Sequence, residues 1–229
     1  IGALDVRDQC SGFLYALSVA DQYIRTGTYK KILLVAAELQ SANLDFSDEG
    51  RDMSVLFGDG GAALILEAND SGDGRGVLGS YLFSDGRFVS ELWMDKPSSC
   101  DNPTFQVEFF QQGKFYPRMN GRTVFKNACE RMPQAVLHGL HQLGLSISDI
   151  DYLIPHQAND RISQMVGRAL KLPEEKVIRN IQRYGNTTAA SIPIALAEAV
   201  QTGLIKRGHL VALTAFGSGF TWGSAFMRK

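Results

Sequence analysis

Cysteine is scarce in this chain. Cys10, Cys100 and Cys129 are few, widely spaced and odd in number, which excludes a disulfide framework. No CxxC or HExxH occurs, which argues against a structural zinc site or a zincin. Neither sign of charge is in surplus: 23 Lys and Arg stand against 24 Asp and Glu, a net charge of -1. Neutralising phosphates needs a basic surplus, so no nucleic acid is expected as a partner. Long apolar runs are absent as well. Ile32–Ala37 falls far short of a bilayer span, and no basic leader with an apolar core is visible, so no membrane association is expected. The default location is therefore cytoplasmic and reducing. There is no GxSxG elbow. Neither Gly72-Asp-Gly-Arg-Gly nor Phe216-Gly-Ser-Gly-Phe is a dinucleotide-binding GxGxxG.

What is present is enough apolar material for a sizeable core: 45% of 229 residues. Helical and strand patterns alternate, the mark of an α/β protein. Ser11 to Thr26 reads as a helix with Phe13, Leu14, Leu17, Ala20 and Ile24 at helical spacing and Gly27 behind it. Lys31–Ala37 reads as a buried strand, and Ser54–Glu67 as strand, glycine turn, strand. The loop Asn69–Gly76 marks a boundary between residues 1–75 and 76–229. Residues 84–118 are irregular and aromatic, an expected cover over a site. Helices are expected over Asn120–Leu143, Asn159–Leu170 and Thr187–Thr202, the last with Pro193 as an irregularity. Strands are expected at Asp151–Pro155, around Ile178, at His209–Ala215 and at Trp222–Arg228. The chain opens on Ile1 inside a strand-like run, Ile1-Gly-Ala-Leu-Asp-Val, so it is expected to be a piece of a longer protein.

The two ends repeat each other. Cys10 opens a helix closing at Thr26-Gly27, and Asn186 opens one closing at Thr202-Gly203; both offsets are 16 residues. A strand follows each helix. Later each copy has an FGxG turn, Phe57-Gly-Asp-Gly and Phe216-Gly-Ser-Gly, each before a strand with small residues. A duplicated α/β unit follows, with Cys10 and Asn186 at equivalent junctions that a pseudo-twofold axis would bring together.

Three residues stand where chemistry is placed in α/β proteins. Cys10, in Asp8-Gln-Cys-Ser-Gly-Phe, sits at a helix N-terminus, where the dipole favours a thiolate; alone it reads equally as a buried structural cysteine. His156 ends the strand Tyr152-Leu-Ile-Pro-His; alone it reads as a hydrogen-bonded loop histidine. Asn186, in Tyr184-Gly-Asn-Thr-Thr-Ala-Ala-Ser, is either a helix N-cap or an oxyanion donor. The Phe216-Gly-Ser-Gly turn exposes backbone N–H groups and is either part of an oxyanion hole or a glycine hairpin. His138, His141 and His209 read as surface or packing residues.

In combination these stretches resemble β-ketoacyl-[acyl-carrier-protein] synthase III. The match runs through Asp8-Gln-Cys-Ser-Gly-Phe, Phe57-Gly-Asp-Gly, Val124-Phe-Lys, Pro155-His-Gln-Ala-Asn, Tyr184-Gly-Asn-Thr-Thr-Ala-Ala-Ser and Ala215-Phe-Gly-Ser-Gly-Phe-Thr-Trp-Gly, in that order. The resemblance implies a thiolase-like duplicated α/β fold, layered αβαβα with mixed five-stranded sheets, its first half incomplete. It implies decarboxylative Claisen condensation of an acyl-CoA primer with malonyl-acyl-carrier protein through an acyl-cysteine. Cys10 would be the nucleophile, and His156 and Asn186 would hold the donor's thioester carbonyl. The backbone N–H groups of Cys10 and Ser218 would form the oxyanion hole, with Phe57 and Phe220 lining the acyl pocket. Arg51 would stack on coenzyme A; Arg161 and Lys126, with Arg168 and Lys171 beside them, would dock the carrier protein. No cofactor is implied, coenzyme A entering only as the substrate thioester. A homodimer is implied, together with an N-terminal segment, the first third of the family's chain, lying before Ile1.

Residues 87–118 depart from the shorter form of the family, and Arg122 stands where asparagine is expected beside the pantetheine arm. Three alternatives fit the same residues: head-to-head condensation of acyl-CoAs or polyketide or quinolone starter chemistry, acyl transfer to a hydroxyl or amine, and an inactive fragment retaining the fold.

Overall fold

The structure, a computed structural model, describes residues 2–229. In chain order its elements are α1 (Gly12–Arg25), β1 (Lys31–Glu38), α2 (Arg51–Ser54), β2 (Gly60–Glu67), β3 (Gly76–Ser84), β4 (Leu92–Trp93), α3 (Val107–Gln111), β5 (Arg118–Met119) and α4 (Gly121–Leu143). Then come β6 (Tyr152–Pro155), α5 (Asp160–Ala169), α6 (Ile181–Tyr184), α7 (Ser191–Gln201), β7 (Leu210–Gly217) and β8 (Thr221–Arg228).

Two sheets sandwich a helical layer. β1 and β2 pair antiparallel. The second sheet has the order β3-β8-β7-β6, with β7 parallel to β6 and antiparallel to β8. Between the sheets lie α1 and α7, whose Phe13, Leu14, Leu17, Ile192, Ala195 and Leu196 share one core with Leu34, Ile154 and Leu213. Each large side chain buried there contributes roughly 1.5–3 kcal/mol. On the outer face of the second sheet, α4 and α5 bury Met132, Val136, Ile162 and Val166 against Leu153, Ala212 and Phe226. β7 is buried along its whole length because helices cover both its faces, which is why it reads as a nearly unbroken apolar run.

Four of the five expected layers are therefore present among the described residues. The outer face of β1–β2 carries Leu33, Val35 and Ile65 at 64%, 59% and 71% exposure. This corrects the reading of Lys31–Ala37 as a strand buried on both faces: burial alternates along β1, and only the face toward α1 and α7 is covered. The second sheet has four strands; the fifth position is held by a single bridge between Val177 and Leu153, so the strand expected around Ile178 shrinks to that bridge.

Other boundaries move for local reasons. Residues 2–8 carry no regular structure, because no neighbouring strand closes a ladder with them among the described residues; Ile1 lies outside those residues. The first strand expected in Ser54–Glu67 is absent, and a short helix, α2, ends at Ser54 instead. Residues 84–118 are mostly irregular, as expected, with only short elements such as β4 and α3 among them, and Leu92, Trp93, Met94 and Pro117 line the larger cavity. The last helix begins at Ser191, after a 3-10 turn at Thr188–Ala190. Pro193 is thus in its first turn, where the missing N–H has no intrahelical partner to lose, and it causes no irregularity. α4 matches its signals: Asn120 caps it by accepting from the Thr123 N–H, and Gly144 ends it in the left-handed conformation.

Among the described residues no helix is long and apolar enough to cross a membrane. The packing of α4 on the second sheet depends on Gly139, where an added Cβ would stand 2.3 Å from the Phe226 ring and 2.7 Å from the Tyr81 ring. Gly139→Ala is expected to cost about 1–3 kcal/mol by overpacking. Urea denaturation measures it, and an unchanged midpoint would show that the helix and sheet can separate without penalty.

Candidate active site

Cys10 occupies a 3-10 turn, Gln9–Ser11, that leads into α1. The preceding Gln9 has φ +46°, a left-handed conformation that costs a non-glycine residue about 1 kcal/mol or more. The turn is tied down from behind, where Ser11 Oγ donates to the Thr221 carbonyl at 3.0 Å. Gly217, the last residue of β7, is pressed against it: an added Cβ would stand 2.7 Å from Cys10 Cβ and 3.2 Å from its backbone nitrogen. Only glycine fits there, and this close approach brings the start of Ser218 beside Cys10.

His156 follows β6 directly, and its backbone N–H donates to the Thr214 carbonyl of β7 at 2.7 Å. The side chain is 1% exposed. Nδ1 lies 2.7 Å from Ser191 Oγ, and Nε2 has no partner among the described residues. The next residue, Gln157, is a brace: its Nε2 donates to the Pro155 carbonyl and its Oε1 accepts the Asn180 N–H. Asn159 caps α5 by accepting from the Arg161 N–H.

Asn186 is held on both sides of its backbone by the other half. Its N–H donates to the Leu56 carbonyl at 2.8 Å, and its carbonyl accepts the Gly58 N–H at 3.1 Å. Its Oδ1 accepts the Thr188 N–H at 2.9 Å. It is therefore no helix N-cap of α7, since it serves the turn two residues on. With Oδ1 committed, Nδ2 is the end left to act.

These three residues come together. Cys10, His156 and Asn186 line a cavity of about 150 Å³ whose remaining wall is apolar apart from Asn159, and includes Phe57, Leu92 and Phe216. A second cavity of about 570 Å³ is lined by Cys10 and Ser218, together with Asp8, Glu38 and Thr188. Cys10, Phe57 and Leu92 belong to both, so the thiol stands where the two cavities meet.

The other sequence-predicted residues lie elsewhere. Phe220 lines neither cavity; it is fully buried, stacked on Phe88 at 5.0 Å and tilted against Phe216 at 4.7 Å between ring centroids. Arg51 opens α2 at the surface, and Lys126, Arg161, Arg168 and Lys171 are exposed on or just beyond α4 and α5. His138 packs against Tyr81 and Phe83, and His209 accepts the Lys206 N–H.

The electrostatics correct one expectation. Burial pushes the Cys10 thiol up to about 12, and the nearby carboxylates of Glu38 and Asp8 add to the rise. The helix N-terminus does not hold a thiolate at rest. Burial likewise lowers His156 to about 4. At neutral pH the site holds a neutral thiol beside a neutral imidazole. Asp8 is itself raised to about 6, chiefly by burial.

Sequence reasoning missed Glu38, Thr188 and Ser191. Glu38 ends β1 and crosses to the other half, where Oε1 accepts the Ala189 N–H at 3.2 Å. Gln40, bonded to the other Glu38 oxygen, reaches Thr188 Oγ1 at 3.4 Å. The one available signal was an acidic residue ending the apolar run of β1.

Comparison with known proteins agrees with this geometry. The family model described as 3-oxoacyl-[acyl-carrier-protein (ACP)] synthase III matches residues 4–86, and that of the same enzyme's C terminal matches residues 140–229. A β-ketoacyl-[acyl-carrier-protein] synthase III of Microcystis aeruginosa is 44% identical over 227 residues, covering 99% of this chain and 67% of that protein. Among solved structures, 3-oxoacyl-[acyl-carrier-protein] synthase III of Aquifex aeolicus superposes with a TM-score of 0.87 at 39% identity, covering 99% of this chain and 67% of the other. The Thermus thermophilus enzyme gives 0.89 at 38% identity, covering 99% and 68%.

Because alkylation proceeds through the thiolate, Cys10 should react with iodoacetamide ~10-fold faster per pH unit across pH 7–10, without a plateau. Glu38→Gln, which keeps an oxygen for the Ala189 N–H while removing the charge, should shift that profile to lower pH. Peptide mass spectrometry follows both, and a plateau by pH 8 in the unmodified chain would contradict the neutral-thiol assignment.

Proposed function

The chain belongs to the 3-oxoacyl-[acyl-carrier-protein] synthase III family of condensing acyltransferases, and we propose that its Cys10, His156 and Asn186 join an acyl-CoA primer to malonyl-acyl-carrier protein with loss of CO2. The observation that supports this most is the shared position of Cys10 in two cavities, one with His156 and Asn186, the other with Ser218. A ping-pong condensation needs one nucleophile and two separate places for negative charge.

In the first half-reaction Cys10 Sγ attacks the acyl carbonyl of the primer. The tetrahedral oxyanion is held by the backbone N–H groups of Cys10 and Ser218. The C–S bond to coenzyme A breaks, and the departing sulfur takes up the proton that the thiol releases. Because the thiol is neutral at rest, deprotonation accompanies transfer and does not precede it.

In the second half-reaction the malonyl thioester carbonyl lies against His156 Nε2 and Asn186 Nδ2. The bond to the carboxylate breaks, CO2 leaves, and the electron pair forms an enolate whose oxygen these two groups stabilise. The enolate carbon attacks the acyl carbonyl on Cys10, the C–S bond breaks, and the returning thiolate is reprotonated from solvent. The apolar cavity wall, including Phe57, keeps water from quenching the carbanion. Side chains and backbone donors account for each step, so no metal or redox cofactor enters this reading.

Several finer points belong to the same proposal. The exposed Arg161 and Lys126 suit docking of an acidic carrier protein, and Arg51 suits contact with coenzyme A. Residues 1–75 and 76–229 form its two halves, β3 joining the second sheet from Gly76 onward. A homodimer and a reducing, cytoplasmic setting complete it. The choice of primer sits in residues 87–139, which neither family model matches and which supply Leu92, Met119 and Val124 to the smaller cavity.

Incubation with a panel of acyl-CoAs should add one acyl mass to the chain and none to Cys10→Ala. Malonyl-acyl-carrier protein should then release CO2 and discharge the acyl group. Acylation that persists in Cys10→Ala, or turnover of the acyl-enzyme without CO2, would overturn the proposal.

A further inference from the structure

The partner of His156 Nδ1 decides what Nε2 can do. Ser191, the first residue of α7, is 35 positions away in sequence, yet its Oγ lies 2.7 Å from Nδ1 with both groups buried. The same Oγ is 3.3 Å from the backbone nitrogen of Gln157. A backbone N–H only donates, so that bond fixes the serine oxygen as an acceptor toward Gln157. The hydroxyl still carries one proton of its own. Among the described residues Ser191 Oγ has no hydrogen-bond partner besides these two.

Two arrangements are open to this pair. If Nδ1 carried the proton, it would donate to a serine oxygen already accepting from Gln157. The serine proton would then have nowhere to go in a buried place, which costs about 1–3 kcal/mol. Nε2 would also be a bare acceptor. If the serine donates to Nδ1 instead, all three groups are satisfied and the ring proton resides on Nε2, the atom that has no protein partner and belongs to the residue lining the smaller cavity.

We propose that Ser191 is a positioning residue that holds His156 as its Nε2–H tautomer, so that Nε2 meets the donor thioester as a hydrogen-bond donor. This rests on the proposed role of His156 and deepens it: Ser191 would serve the decarboxylation half-reaction and not the acylation of Cys10. The burial that keeps the imidazole neutral makes the tautomer decisive, since a doubly protonated ring would donate from Nε2 whatever Ser191 did. The placement also links the two electrophilic groups, because Ser191 lies five residues beyond Asn186 in the same segment.

Nitrogen-15 NMR of the histidine-labelled chain reads the tautomer directly, independent of turnover. The expected spectrum has a protonated Nε2 and a bare Nδ1 for His156, the assignment being made with His156→Ala. A protonated Nδ1 overturns the proposal. In Ser191→Ala the tautomers should mix. CO2 release from a malonyl thioester by the acylated variant should fall about 10–100-fold, the range for losing a group that orients a histidine, while the rate of Cys10 acylation stays within about twofold. Equal slowing of both half-reactions, or none, sinks the positioning role. An Nε2–H spectrum in a chain that never releases CO2 would leave the tautomer assignment standing and remove the proposed function instead.

Discussion

The site depends on a reciprocal clasp between the two halves of a duplicated fold. The turn at Phe57-Gly58 of the first half grips Asn186 of the second through two backbone hydrogen bonds. The turn at Phe216-Gly217 of the second half presses against Cys10 of the first so closely that no methyl group fits between them. Each half thus supplies one of the two junctions and the turn that seats the other's. Glu38 adds a third tie, from the end of β1 to the segment after Asn186. Because these ties are mostly backbone contacts, side-chain variation elsewhere leaves the relative placement of Cys10 and Asn186 intact. His156 is fixed independently, by its backbone bond to Thr214 and by Ser191.

Burial then sets the chemistry. Depth of burial raises the thiol and lowers the imidazole, so both groups are neutral at rest. Pre-aimed donors are worth most in such surroundings, since nothing must reorganise when an oxyanion or enolate forms. The neighbouring carboxylates Glu38 and Asp8 oppose a resting thiolate. The strained Gln9 conformation belongs to the same design, presenting the thiol on a sharp turn.

Much of this was legible in the sequence. The equal offsets from Cys10 and Asn186, and the paired FGxG turns, announced the duplication before any coordinates. The helices expected over Asn120–Leu143 and Asn159–Leu170 fall within a residue of their bounds in the structure. What stayed hidden was whatever depends on contacts distant along the chain. Ser191 reads as the end of a small-residue run until His156 is folded onto it. Glu38 reads as a strand terminus until Ala189 arrives, 151 residues later. The family resemblance put Phe220 in the acyl pocket, but Phe88, from a segment with little regular pattern, draws it into a stack. The thiol's state was misjudged because a helix N-terminus is visible in sequence and depth of burial is not.

A crystal structure of the chain acylated at Cys10 tests the clasp and the division of labour it creates. The account predicts the acyl carbonyl oxygen within hydrogen-bond distance of the backbone nitrogens of Cys10 and Ser218, with His156 Nε2 and Asn186 Nδ2 left open on the other side for the incoming thioester. An acyl oxygen bound to His156 Nε2 or Asn186 Nδ2 would contradict it, because a single pocket would then be serving both half-reactions.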